Sequence, residues 1–207
     1  RDLHSFPTRR SCDLLRFISN EVGNGVFATT FIPKGTIVYI KDKLEIVIPP
    51  DDPRRNDPLY KDVIEKYSYT EPNGNFVLSW DIGRYVNHCC NCNIISTGYG
   101  FEIAIRDIQA GEEITDEYGL FNSGWEIDLV CTKPGCRKKL QPSDLDLNYE
   151  KWDAAIKSAF DYFEKVDQPL LKYMEPEIKD KLNRFLKEGR DYISVLEIGR
   201  ASCRERV

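Results

Sequence analysis

Between residues 22 and 48 short apolar, β-branched runs alternate with glycine and charged punctuation. Val26-Phe27-Ala28, Thr36-Ile37-Val38-Tyr39-Ile40 and Leu44-Glu45-Ile46-Val47-Ile48 each have the make-up of a short strand. A polar, proline-rich loop spans Pro49 to Pro58. Leu59 to Tyr67 then has apolar spacing suited to a short helix, with Asp57-Pro58 as its start. Glu71-Pro72-Asn73-Gly74-Asn75 reads as a hairpin-like turn into a strand at Phe76-Val77-Leu78-Ser79-Trp80. From Gly100 to Arg106, Phe101, Ile103 and Ile105 alternate with Glu102, Ala104 and Arg106, which predicts another strand. Ala110-Gly111-Glu112 turns the chain into Ile114-Thr115.

After Pro142 the period changes to that of a helix. Leu145, Trp152, Ile156, Phe160 and Phe163 form one apolar stripe, with Ser143 or Asp144 as its cap. Ile178, Leu182, Phe185 and Leu186 form a second stripe that ends near Gly189. The pattern predicts a strand-rich body, a cysteine-bearing bridge and two C-terminal helices. No internal repeat or low-complexity segment interrupts it.

The two ends alter the inventory of reactive groups. Residues 1–14 and 198–207 look like in-frame translations of the two strands of a sequencing-library adapter, so both are expected to be non-native tails. Between them, residues 15–197 fit one domain with a sizeable core. Of two histidines and seven cysteines, His88 and Cys89, Cys90, Cys92, Cys131 and Cys136 fall inside that span. The first tail carries one net positive charge and the second two, so the net charge of −5 becomes −8 without them. An acidic chain is a poor general partner for nucleic-acid phosphates, and no direct nucleic-acid binding is expected. No apolar run is long enough to span a bilayer and no signal peptide is visible, so no membrane association is expected. Five cysteines in two short clusters suggest metal or catalytic chemistry more than a disulfide framework.

Three segments carry candidate chemistry. Gly23-Asn24-Gly25-Val26-Phe27-Ala28, followed by Ile32-Pro33-Lys34-Gly35, taken alone is no more than a tight turn between strands. Arg84-Tyr85-Val86-Asn87-His88-Cys89-Cys90-Asn91-Cys92-Asn93 crowds amide, imidazole and thiol groups into ten residues, too polar for a simple core strand. Its Asn and His suit a polar ligand and its thiols a soft metal, although a lone His is more often a satisfied structural residue. Gly111-Glu112-Glu113-Ile114-Thr115-Asp116-Glu117-Tyr118-Gly119 alone reads as an acidic turn with a half-buried tyrosine.

In this order and spacing, with Ala104-Ile105-Arg106-Asp107-Ile108 leading into the last, the three segments resemble the SET-domain lysine methyltransferases. The likeness covers about residues 20–140. It implies a mainly β fold with some α: a SET-type β-clip of small curved sheets in which the Asn-His segment is threaded by the chain after it. The implied organisation is a SET domain over 15–127, a post-SET zinc-binding segment over 128–140 and a helical extension over 141–197. By the resemblance, Gly23, Asn24 and Gly25 lie along the methionine part of S-adenosylmethionine. Asn87 and His88 hold the adenine and neighbouring groups, largely through backbone. Tyr118 matches the catalytic tyrosine, and Tyr85, Phe121 and Trp125 are candidate walls of a lysine channel. The implied activity is methyl transfer to a neutral lysine amine of a protein substrate, including one in a basic segment. A microbial, cytoplasmic protein is expected, with a secreted effector as the alternative.

Two departures from the family pattern matter. Thiols replace the usual Ser and Pro after Asn-His, and the tail Cys131-Thr132-Lys133-Pro134-Gly135-Cys136 lacks one of the family's three cysteines. The resemblance then implies a closed structural zinc site from Cys90, Cys92, Cys131 and Cys136, with Cys89 the alternative to Cys92. Asp116 stands where the family has Phe or Tyr, a position that influences how many methyls are added, which leaves the product state open. Two other functions compete. One is a catalytically degenerate SET module serving as a zinc-stapled interaction domain. The other is a thiol enzyme pairing His88 with Cys89 or Cys90, which is disfavoured because neighbours on an extended segment point their side chains apart.

Overall fold

Short strands, each too small to stand alone, are gathered here into four sheets. The computed structural model describes residues 13–71, 73–121, 126–131 and 133–200. In chain order the strands are β1 Asp13–Ser19, β2 Gly23–Ala28, β3 Ile37–Ile40, β4 Ile46–Ile48, β5 Ser68–Thr70 and β6 Phe76–Leu78. They continue as β7 Asn87–His88, β8 Ile94–Ser96, β9 Phe101–Ala104, β10 Glu113–Asp116, β11 Ile127–Asp128 and β12 Lys139–Leu140. Helices are α1 Lys61–Tyr67, α2 Asp144–Phe160, α3 Pro176–Glu188 and α4 Leu196–Arg200. Among the described residues no helix is long and apolar enough to cross a membrane.

The strands pair in the orders β1-β2-β10-β7, β3-β9-β8, β4-β6-β5 and β11-β12. The first order places the site. β10 runs antiparallel to β2, with Ile114 opposite Val26, and parallel to β7, with Thr115 opposite Asn87 and Asp116 opposite His88. Three sequence-distant segments thus become neighbours across one strand.

Two apolar clusters hold these sheets. Val26, Ala28, Val86, Ile94, Ala104 and Ile114 pack beneath the first sheet. The larger cluster joins the β3-β9-β8 sheet to the helical extension through Phe101, Ile103, Trp152, Ile156 and Phe160. Phe160 meets Tyr99 and Phe101 edge-on at 5.9 and 6.2 Å between ring centroids. Burying one such aromatic contributes on the order of 2–3 kcal/mol, so the extension belongs to the fold's core.

Most predicted elements are present, with informative differences. β4 loses the first two residues of its predicted run because the Asp42 side chain accepts from the Leu44 amide and forms a turn. Ser143 stands at the N-cap of α2 without a side-chain bond, while Asp144 Oδ2 accepts from Gln141 N at 3.0 Å. α3 begins at Pro176 and ends on Gly189 in the left-handed conformation. A third helix, α4, follows the two predicted at the C-terminal end. It is organised by Asp153, which accepts from Ser194 Oγ at 2.5 Å and Val195 N at 3.0 Å, a contact with no local sequence period. Regular structure also runs slightly past both expected tail boundaries, since β1 starts at Asp13 and α4 ends at Arg200.

Candidate functional site

The site is assembled around β10. On one side, the Asn87 amide donates from Nδ2 to the Asn24 carbonyl at 3.1 Å and to Glu113 Oε1 at 3.0 Å. This joins the Gly23-Asn24-Gly25 strand to the Asn-His strand. Gly25 has to be glycine here: a Cβ would stand 2.9 Å from Glu113 Oε1 and 3.0 Å from Asn87 Nδ2. At Gly23, with φ +83°, no described atom lies within 4 Å of where a Cβ would be, so the space on that side of the backbone is open.

On the other side, the Tyr118 amide donates to His88 Nδ1 at 3.1 Å. A neutral His88 therefore carries its proton on Nε2, which lies 3.2 Å from Cys90 Sγ. Burial, with the Arg137 guanidinium adding to it, lowers His88 to about 4, so the ring is neutral at physiological pH. The expected divergence of side chains applies to adjacent residues, His88 and Cys89; Cys90 is two residues on, and the turn at Cys90 and Asn91 brings its sulfur to the His88 ring. The contact does not make a base–nucleophile pair. Nε2–H donates toward the sulfur and has no lone pair with which to take a thiol proton.

Tyr118 opens a 3-10 turn, Tyr118–Phe121, with its side chain partly exposed. Its hydroxyl donates to the Val86 carbonyl at 2.5 Å. The Tyr118 ring lies 5.5 Å from His88 and 6.3 Å from Phe121. Phe121 in turn stacks at 5.7 Å on Tyr69, an aromatic residue that no sequence motif singled out. Tyr85 packs edge-on to Tyr67 at 5.4 Å. Trp125 lies outside the described residues.

Next to Tyr118, Glu117 is 1% exposed. Its Oε1 accepts from Gly119 N at 2.8 Å and from Arg137 Nη2 at 2.5 Å. Burial pushes the Glu117 carboxyl up, against the pull of the Gly119 amide and Arg137. Asp116 is also buried, and burial together with Glu102 raises it well above the usual carboxylate range, with Ser96 Oγ donating to it at 3.1 Å.

The cysteines divide. Cys90 and Cys136 bring their sulfurs to 3.9 Å, although 46 residues separate them. Two thiolates bonded at about 2.3 Å to one tetrahedral zinc stand about 3.8 Å apart, so this pair has the spacing of shared ligands. Cys92 does not join them: it is packed in the larger apolar core, where burial holds its thiol strongly protonated. Cys89 is buried as well, while Cys131 is half-buried on the bridge. Among the described residues no three His, Cys, Asp or Glu side chains converge to hold a metal ion. The expected four-thiol set is thus brought together only at Cys90 and Cys136.

The family model of the SET domain matches residues 23–119, from the first glycine of β2 to the residue after Tyr118. Over 67 residues the chain is 36% identical to the histone-lysine N-methyltransferase set1 of Dictyostelium discoideum, a match covering 29% of this chain and 4% of that protein. A crystal structure of a candidate histone methyltransferase from Plasmodium falciparum overlaps 52% of this chain and 92% of its own, with 22% identity and a TM-score of 0.37.

Proposed function

We propose, from the match of residues 23–119 to the SET-domain family model, that the chain is an S-adenosylmethionine-dependent protein lysine N-methyltransferase. One observation carries the proposal. The bonds Tyr118 N to His88 Nδ1 and Asn87 Nδ2 to Asn24 O connect all three motifs into one site around β10. S-adenosylmethionine, when bound, supplies a methyl group on a positively charged sulfur. Displacement there needs alignment more than acid–base power.

The chain's own groups have the corresponding tasks. The open side of the Gly23 backbone offers a surface for the methionine part of the donor, and Asn87 holds the Asn24 carbonyl and its own strand in register. The Tyr118 hydroxyl commits its proton to the Val86 carbonyl, so toward an incoming amine its oxygen acts as acceptor and orients the nitrogen lone pair. Phe121 and Tyr69 supply aromatic surface beside it that keeps water from the amine. An unperturbed lysine has a pKa of about 10.4, and an apolar channel lowers it toward the neutral, nucleophilic form. The substrate is a protein presenting an exposed lysine, and the acidic chain favours one in a basic segment.

The 3.9 Å sulfur spacing supports a structural zinc held by Cys90 and Cys136, with Cys131 as a third ligand from the same bridge. Such a metal would fasten the bridge to the Asn-His segment and take no part in the chemistry. The function is tested by incubating purified protein with methyl-labelled S-adenosylmethionine and a lysate, then locating label by mass spectrometry. Label on lysine Nε is expected. Tight donor binding with no protein labelled would favour an interaction module that has lost catalysis.

A further inference from the structure

The ring of Tyr118 is 37% exposed, so burial alone does not hold this residue. Its amide donates to His88 Nδ1 and its hydroxyl to the Val86 carbonyl, and its neighbours on either side, Glu117 and Gly119, shape the turn that carries it. Glu117 Oε1 accepts from Gly119 N and so closes a small loop around Tyr118. That oxygen is oriented by one cation, Arg137, through Nη2 at 2.5 Å. The other arm of the guanidinium, Nη1, lies 3.4 Å from Asp144 Oδ2 at the start of α2. The backbone amide of Arg137 donates to Cys90 Sγ at 3.3 Å. Gly119 is boxed in by the same parts: a Cβ there would meet Glu117 Oε1 and Trp152 Cη2 at 3.0 Å and Asp144 Cβ at 3.2 Å.

We propose that Arg137 is a positioning residue for Tyr118, acting through Glu117, so that the cysteine-bearing bridge and the first turn of α2 set the geometry of the methyl-transfer site. This rests on the methyltransferase reading of Tyr118. The planar guanidinium can bond two carboxylates on different elements at once, which an ammonium cannot match. Loss of the guanidinium leaves Glu117 a buried carboxyl without its cation, and the Tyr118 turn must shift for it to reach a new partner or solvent. The effect falls on orientation at the reacting centre, while the groups proposed to hold the donor, Gly23 on β2 and the Asn87 amide bonded to Asn24 and Glu113, lie outside this contact.

The test compares the full chain with Arg137→Met, Arg137→Lys and the charge-neutral double variant Glu117→Gln/Arg137→Met. Two readouts are used: hydrogen exchange of the segment 117–121 and steady-state methyl transfer. In Arg137→Met, exchange at 117–121 is expected to quicken about 10-fold or more, the equilibrium factor of a lost charge-assisted hydrogen bond, with the β3-β9-β8 sheet unchanged. kcat should fall roughly 10- to 100-fold, with KM for the donor within about 2-fold. Arg137→Lys should recover part of both losses, and the double variant should be no worse than Arg137→Met because the two groups act as one unit. Exchange at 117–121 equal to that of the parent, or quickened equally across the whole chain, overturns the proposal. The exchange readout needs no activity: a looser turn in a parent that transfers no methyl would leave the positioning role standing and remove the methyltransferase reading.

Discussion

Gly25→Ala adds a single methyl group where the Gly23-Asn24-Gly25 strand meets the Asn-His strand. The backbone conformation there suits any residue, so the cost is steric. The new Cβ would lie 2.5 Å from Ile18 Cδ1, 2.9 Å from Glu113 Oε1 and 3.0 Å from Asn87 Nδ2. The Ile18 tip can swing outward, since this side chain is 38% exposed. Asn87 cannot yield so easily, because its amide bonds Glu113 and Asn24 at once. Overpacking costs about 1–3 kcal/mol, and a broken hydrogen bond adds about 1 kcal/mol. The lower backbone entropy of Ala in a strand returns about 0.5–1 kcal/mol. The net loss is about 1–3 kcal/mol, which for a chain of this size lowers Tm by roughly 3–10 °C. Urea unfolding and calorimetric titration with S-adenosylmethionine measure both sides of the effect. Donor affinity should fall as Asn87 is displaced, and Asn87→Ala in the Gly25→Ala background should cost less than it does alone. Parent-like stability and affinity, or strict additivity of the two substitutions, would refute the reasoning.

Two further outcomes follow from other parts of the molecule. Metal analysis should find zinc in the purified protein, lost together with thermal stability in Cys136→Ser, whereas Cys92→Ala should keep the metal and lose only core packing; metal-free protein of unchanged stability would count against the site. Burial, with Asp81 adding to it and the Tyr39 hydroxyl opposing, raises the Glu45 carboxyl above its ordinary range. The folded state therefore holds that proton more tightly than the unfolded chain does. Its stabilising part is complete below the unfolded pKa and is lost as pH rises through the folded one. Glu45→Gln, which keeps an acceptor for Tyr39, should flatten that fall, and identical pH–stability curves for variant and parent would exclude it.

The three segments of the candidate site were legible because each is local. Glycine spacing, an Asn-His pair and a tyrosine after a short acidic strand are all visible within about ten residues. Their convergence on β10 was legible only through the family resemblance, since β2 and β7 have no local signal for sharing a neighbour. What the sequence hid depends on long-range placement. Tyr69 reaches Phe121 from a strand 52 residues earlier in the chain, and Arg137 bonds a carboxylate 20 residues before it. Neither has a spacing rule. A thiol looks the same in sequence whether it faces a metal or packs in an apolar core, and Cys92 lies in the core cluster that holds Ile95 and Ile103. His88 and Cys90 meet because residues two apart on an extended segment share a face and the turn at Cys90 and Asn91 closes the remaining gap.

In the proposed methyl transfer Tyr118 orients the acceptor amine. Tyr118→Phe removes one hydroxyl and keeps the ring against His88 and Phe121. The lost bond to the Val86 carbonyl costs about 0.5–1.5 kcal/mol of stability, too little to unfold the chain. Single-turnover methyl transfer beside calorimetry of S-adenosylmethionine binding separates chemistry from binding. Parent-like donor affinity with turnover reduced about 10²-fold or more is the predicted result. Methyl transfer by Tyr118→Phe at the parent rate would contradict the account and leave Tyr118 a structural residue.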